Sequence, residues 1–181
     1  MLDGGPGAEP TVGLDAWLVC DLQGELQPAI RRIAALRGLL PVVSRFERPG
    51  FVAEPREVRH TSHPTYGYRI TSRGHVVVWA PEFLDFPDWA AGADLMFAEA
   101  AAWSGPIRFA RGAGGHAPLL EVGRLARAAG VKRLVYAHVG RRSIRALDRG
   151  LRPPFGELGV EGATYTVDGG GAPGDRGSAP W

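Results

Sequence analysis

The residues in this sequence best suited to chemistry are histidines. Five occur in 181 residues, and four of them stand where an imidazole can be offered to a metal. His138 ends the run Leu134-Val135-Tyr136-Ala137-His138, which reads as a buried strand, and Val139-Gly140-Arg141-Arg142 follows as a glycine-containing loop. His116 comes directly after Gly114-Gly115, just before a helical pattern that leads into that strand. His60 and His63 precede Tyr66-Gly67-Tyr68-Arg69-Ile70. A neutral imidazole is the commonest metal ligand, and a strand end followed by a glycine-containing loop is a usual place to present one. Each of these histidines taken singly is more often a satisfied structural residue; their joint arrangement is what points to a metal. The single cysteine, Cys20, excludes an intramolecular disulfide and any multi-cysteine zinc site.

The elements that must position these side chains follow from periodicity. Residues 14–20 (LDAWLVC) read as a short buried strand. Residues 28–40 carry Ile30, Ile33, Ala34, Leu36 and Leu40 at helical spacing, with Arg31, Arg32 and Arg37 outside that set and Pro28 in the first turn. Residues 39–44 are strand-like and 46–55 read as a loop. Residues 66–71 and 75–80 form two strands around a tight turn at Arg73-Gly74. Residues 94–98 are a short strand, and 106–115 a glycine-rich loop. Leu119, Leu120, Val122, Leu125, Ala126 and Ala129 mark a helix closed by Gly130 at its C′ position, and 131–139 a strong strand. Residues 153–159 (PPFGELG), with a strand at Tyr165-Thr166-Val167, suggest a closing segment whose role is packing. Strands alternating with helices make the fold class α/β. One domain is expected over 1–167, with a disordered tail over 168–181, where apolar periodicity is absent.

Composition narrows the function classes. Apolar residues make up 45% and charged residues 22%, ordinary for a soluble globular protein. The net charge is +2, and Lys132 is the only lysine, so the positive charge is almost all guanidinium. Guanidinium suits phosphate recognition, although a GC-rich genome would produce the same excess of arginine and is the better explanation. No apolar run approaches the roughly 20 residues that span a bilayer, and Met1-Leu2-Asp3-Gly4-Gly5 lacks a basic-then-apolar leader. A cytoplasmic protein with no membrane partner is expected. Arg31, Arg32, Arg37, Arg141, Arg142 and Arg145 are dispersed, as on a solvated face, so nucleic acid stays an open partner and ranks last.

The segments HTSHPTYGYRI, VVVWAPEF, GADLMFAEAAAW and GGHAPLLEVGRLARAAGVKRLVYAH, in this order and spacing, resemble the latter half of the ribonuclease-Z-like branch of the metallo-β-lactamase superfamily. The resemblance covers most of residues 14–167 and implies a metallo-β-lactamase-like αββα sandwich, incomplete at the N-terminus. It further implies that His60 or His63 is a metal ligand, since the spacing to Gly67 fits neither cleanly. Glu82 stands where the family has a bridging aspartate, one methylene longer, and His138 resembles the last ligand. Glu99 and His116 resemble groups that orient ligands or assist proton transfer near the leaving group.

The same resemblance exposes a departure. The family's His-x-His-x-Asp-His should follow the first strand, where this chain has Asp21-Leu22-Gln23-Gly24-Glu25-Leu26. Asp21 and Gln23 replace the spaced histidines, Glu25 the aspartate and Leu26 the last histidine. Leucine cannot ligate and glutamine is a weak neutral ligand, so the implied metal set is Asp21, Glu25, His60 or His63, Glu82 and His138. Such oxygen-rich sites favour Mn²⁺, Fe²⁺ or Mg²⁺ over structural zinc chemistry. The cofactor expected is a divalent metal, Zn²⁺ or Mn²⁺, bound weakly or at one site only. Residues 1–7 (MLDGGPG) resemble the segment after the family's opening hairpin, so a late start or another completion of the sheet is implied. An unpaired sheet edge would also invite homo-oligomers. Two readings stand: metal-assisted hydrolysis of a phosphodiester or ester bond with impaired activity, acting on a small-molecule or phosphodiester substrate, or a metal-free relative that binds or scaffolds.

Overall fold

The computed structural model describes residues 17–20, 28, 31–32 and 41–167. Its centre is a seven-stranded mixed sheet. In chain order the strands are β1 (Trp17–Leu18), β2 (Pro41–Val42), β3 (Phe46–Arg48), β4 (Phe51–Val58), β5 (Thr65–Ser72), β6 (His75–Ala80), β7 (Leu95–Ala100), β8 (Ile107–Arg108), β9 (Gly115–His116), β10 (Arg133–Val139) and β11 (Glu157–Leu158). Two α-helices lie in the later part of the chain, α1 (Leu119–Ala128) and α2 (Arg141–Asp148). The main sheet runs β11-β10-β7-β6-β5-β4-β3, while β1 pairs with β2 and β8 with β9.

The expected hairpin at β5–β6 is present. Arg73 and Gly74 both have positive φ, 49° and 81°, which matches the right-handed twist of the flanking strands. The expected helix is α1, followed by Gly130 with φ 73°. The strand at 94–98 extends as β7 to Ala100, far enough to carry Glu99 within it.

Three expectations are corrected. Residues 46–55 are no loop: β3 and β4 form a hairpin around Pro49-Gly50, with Phe46 opposite Ala53 and Arg48 opposite Phe51. Pro55 and the charges at Glu54, Arg56 and Glu57 hide the strand pattern. Proline is tolerated there because the β3 pairing ends at Ala53, which leaves that stretch of β4 as an edge. The residues after His138 are also no loop. Gly140 is the N-cap of α2, which buries Ser143 and Ala146 and turns its arginines outward. Finally, Tyr165-Thr166-Val167 forms no strand; Tyr165 instead sets its ring edge-on to Phe97 at 5.2 Å, and its hydroxyl accepts the Val160 amide at 2.8 Å. Of the helix expected over 28–40, Pro28, Arg31 and Arg32 are helical and exposed, and the rest lies outside the described residues, as does the tail over 168–181. No helix among the described residues is long and apolar enough to cross a membrane.

Both faces of the sheet are apolar, as a central layer requires. Val78, Met96 and Leu134 lie in one cross-strand row and are buried in the core with Leu119, Val122 and Ala126 of α1. Tyr68, Trp79, Phe97 and Val135 make the row on the opposite face. There the Tyr68 hydroxyl donates to the Val19 carbonyl at 3.1 Å and the Tyr66 amide to the Cys20 carbonyl at 2.8 Å, so the β1 segment sits on this second face.

At the entry to β7, Asp94 accepts the Val76 amide and the Lys132 ammonium, each at 2.7 Å. The Lys132 bond above all, then the Val76 amide, holds the Asp94 carboxyl below the usual aspartate range. A lowered native value contributes stability that is present above the unfolded-chain value and is lost as pH falls through the native one. Asp94→Asn is therefore expected to cost about 1–2 kcal/mol at pH 7, with the gap narrowing at a second, acidic pH below the ordinary aspartate range. Urea unfolding of both proteins at the two pH values checks this; a gap of equal size at both would mean that charge plays no part.

Candidate metal centre

Strand polarity gathers the candidate side chains. β4 and β6 are each antiparallel to β5, while β6, β7 and β10 are mutually parallel. The C-terminal ends of β4, β6, β7 and β10 therefore share one edge of the sheet. His60 follows the end of β4 and Glu82 the end of β6, while Glu99 and His138 lie near the ends of β7 and β10. The β8–β9 pair adds His116 from above, because the Gly115 amide donates to the His60 carbonyl at 2.7 Å.

A bulge completes the arrangement. Tyr136 is opposite Ala98, yet His138 is opposite Glu99, so β10 carries one extra residue at Ala137. Strict alternation would leave His138 on the same face as Tyr136, under α1. The bulge moves it to the Glu99 face.

Glu99 is wholly buried, with 0% of its surface exposed, and all its accepting capacity is used. Oε2 accepts the Phe83 amide at 3.2 Å and His116 Nδ1–H at 2.7 Å. Oε1 accepts the Ala101 amide at 2.8 Å and His138 Nδ1–H at 3.1 Å. Burial pushes this carboxyl up, but the two imidazole bonds outweigh it and hold the group below the usual glutamate range.

Glu82 lies between two imidazoles, its Oε2 3.2 Å from His60 Nε2 and its Oε1 3.6 Å from His138 Nε2. His60 Nδ1–H donates to the Gly115 carbonyl at 3.1 Å. The hydrogen bond from His60 is the main reason that the Glu82 carboxyl is held low. Burial lowers His60, but Glu82 and the Gly115 carbonyl more than offset that and its value is raised; His138 is raised chiefly by Glu99. Metal uptake at these nitrogens therefore competes with protons. Glu82 and His138 remain 35% and 37% exposed, which leaves this side of the cluster open to a ligand.

Two donor sets are available to a cation. Glu99, His116 and His138 can bring one ligand atom each to within 4.8 Å of one another. Every lone-pair direction of Glu99 is already engaged, however, so a cation there would displace a buried hydrogen bond. The set His60 Nε2, Glu82 and His138 Nε2 meets no such conflict. Each histidine has its Nδ1–H tied to an acceptor and its Nε2 aimed at a carboxylate, as metal-binding imidazoles are usually held. Two imidazoles and one carboxylate are a donor set of catalytic zinc sites, which keep a further position open. Among the described residues only Glu99, His116 and His138 bring their ligand atoms within 4.8 Å of one another, so a Glu/His/His group here fits a divalent metal, whereas His60 and His138 would have to close on Glu82 to share one.

His60, Glu82, Glu99, His116 and His138 thus come together. His63 does not: it is exposed in the loop after His60, its carbonyl accepting the Thr61 and Thr65 hydroxyls at 3.2 and 3.3 Å. Asp21 and Glu25 lie outside the described residues. Sequence reasoning missed Phe109, whose ring stands edge-on to His60 at 5.6 Å and to His116 at 5.3 Å and closes one side of the cluster. A phenylalanine in a glycine-rich loop carries no chemical label that would have singled it out.

No protein-family profile and no curated protein matches this chain. Among solved structures it is similar to the metallo-beta-lactamase fold protein YhfI from Bacillus subtilis, at 20% identity, covering 72% of this chain and 57% of that one with a TM-score of 0.45. It is also similar to a diphosphatase from the PhnP family, at 19% identity, covering 76% of this chain and 52% of that one with a TM-score of 0.52. The chain spans little more than half the length of each. Identity this low speaks for the fold alone, and here it agrees with the sheet and helix arrangement: the chain has an α/β fold of the metallo-β-lactamase type.

Proposed function

We propose that this chain is a metal-dependent phosphoester hydrolase of impaired activity, with one divalent cation, Zn²⁺ or Mn²⁺, held by His60, Glu82 and His138. The observation that carries this reading is the convergence of two Nε2 atoms on one carboxylate, each imidazole being oriented through its Nδ1–H. The resemblance to the ribonuclease-Z-like branch supports hydrolysis, and the diphosphatase named among the structural neighbours supports a phosphate-bearing substrate. A bound divalent cation lowers the pKa of water and offsets charge on the attacked phosphorus. The chain's own residues do the rest. Glu99 fixes His138 for ligation and His116 for proton transfer, with Nδ1–H held and Nε2 left to exchange a proton with the leaving oxygen. Phe109 shields the rings from water. Leu26 and Gln23 stand where the resemblance expects further ligands, which is why a single metal and weak turnover are proposed. They also support the second reading, a metal-free binding protein.

The test is a titration of chelator-treated full-length protein with Zn²⁺ and Mn²⁺, followed by unfolding and by hydrolysis of bis(4-nitrophenyl) phosphate. Metal at a hundred times its dissociation constant should stabilise the fold by about 2.7 kcal/mol. His138→Ala and Glu82→Ala should abolish that gain and the turnover with it. Absence of any metal-dependent stabilisation, or its persistence in both variants, would overturn the metal centre. Stabilisation without turnover would favour the binding-protein reading.

A further inference from the structure

A cleft of about 400 Å³ has an apolar and cationic lining. Trp103, Ala146 and Leu151 are its apolar residues, and Arg142, Arg145 and Arg149 its cations. The cleft adjoins the centre through the chain itself. Trp103 follows β7, the strand of Glu99, and Arg142 lies in the first turn of the helix that follows His138. The two crossovers touch, since the Gly140 amide donates to the Ala100 carbonyl at 3.3 Å. The tryptophan wall is anchored as well: the Leu119 and Leu120 amides donate to the Ala102 and Trp103 carbonyls at 2.7 and 3.1 Å.

The three arginines are electrostatically costly where they stand. Positions 142, 145 and 149 repeat along one helical face, where like charges repel. Arg141 and Arg142 also occupy the first turn of α2, which has no acidic residue and where the helix dipole disfavours cations. Among the described residues no carboxylate forms an ion pair with Arg142, Arg145 or Arg149, although acidic partners are found for Arg59, Arg124 and Arg133. Three exposed guanidiniums around one cleft lined by an indole have the chemistry of a site for a phosphate joined to a flat aromatic body. The forked donors of arginine match phosphate oxygens, and an indole stacks on planar rings.

We infer that this cleft binds a mononucleotide unit, with its phosphate on Arg142, Arg145 and Arg149 and its base against Trp103. The inference deepens the hydrolase reading by naming the substrate class, and it rests on that reading only for the link to catalysis.

Calorimetric titration of the full chain with adenosine 5′-monophosphate, in chelator and therefore without metal, tests it. Wild type should bind the nucleotide, and adenosine or inorganic phosphate should each bind about tenfold more weakly or worse. The exposed double substitution Arg145→Gln/Arg149→Gln should weaken nucleotide binding by roughly a hundredfold, about tenfold for each charge-assisted hydrogen bond removed. Arg73→Gln, in the distant β5–β6 turn, should leave binding unchanged. No binding by wild type, or equal binding by the double variant, would overturn the inference. So would retention of a single-stranded oligonucleotide by a protein that ignores the mononucleotide. Metal is excluded from this experiment, so a failed metal centre leaves its result standing, and a failed cleft leaves the metal titration standing.

Discussion

Glu99→Ala is expected to lower stability by about 3–5 kcal/mol. The number follows from what the carboxylate holds. Its removal leaves the Phe83 and Ala101 amides without an acceptor in a region closed to solvent, and it frees the Nδ1–H groups of His116 and His138. A buried donor that loses its partner costs about 1–3 kcal/mol, and here several lose theirs together. Glu99→Gln preserves the volume but replaces one accepting oxygen with an NH₂ group. Whichever way the amide turns, that group faces one backbone N–H and one imidazole N–H. The glutamine variant should therefore fold, with intermediate stability, and bind metal about 10–100-fold more weakly, because the ligating histidine has lost its orienting partner. Urea unfolding measures the first effect and metal titration the second. Downfield imidazole N–H resonances from His116 and His138 in wild type, absent from Glu99→Gln, would identify the hydrogen bonds directly. A glutamine variant with wild-type stability and metal affinity would refute the role assigned to Glu99.

The second large effect is expected at Gly114. Its φ is 147° and that of Gly115 is 153°, a region that residues with a side chain rarely adopt. A β-carbon on Gly114 would lie 1.9 Å from the His60 carbonyl oxygen, and one on Gly115 1.9 Å from that of Ile107. Both neighbours are backbone, so no side-chain rotation relieves the overlap. The same turn supplies the Gly115 carbonyl that holds His60 Nδ1–H and precedes His116 directly. Gly114→Ala should thus cost about 3 kcal/mol or more from backbone strain and overlap. It should also move His60 away from Glu82, so that metal affinity falls even under conditions where the protein stays folded. Gly105→Ala, where a β-carbon would meet open space, is the matched control and should be close to neutral. A Gly114→Ala protein with wild-type stability would show that the loop does not hold His60 as described.

Which parts were legible in the sequence depended on how local their causes are. The β5–β6 hairpin was legible because alternation and the Arg73-Gly74 turn act within a few residues. Helix α1 was legible because its apolar stripe and Gly130 are both present in the chain. Helix α2 was not, since four of its eight residues, Arg141, Arg142, Arg145 and Asp148, are charged and its buried stripe is only Ser143 and Ala146. The β3–β4 hairpin was hidden by Pro55, which is tolerable only because that stretch has no outer neighbour, a fact of pairing and not of the strand itself.

The candidate centre divides in the same way. Residue type and local setting were enough to single out His138, His116 and the His60/His63 pair, because imidazole chemistry belongs to the side chain. Resemblance added Glu82 and Glu99. The choice between His60 and His63 was tertiary: two residues separate a buried ring from an exposed one, and burial depends on the Gly114-Gly115 turn and Phe109 packing over it. Tertiary structure also brought His138 to Glu99, through one extra residue at Ala137 that no periodicity reveals. The sequence by itself determined which groups are able to ligate or move a proton. Their convergence was decided only by the parallel ends of β4, β6, β7 and β10, because a metal site is defined by distances between atoms far apart in the chain, and those distances exist only once the sheet has formed.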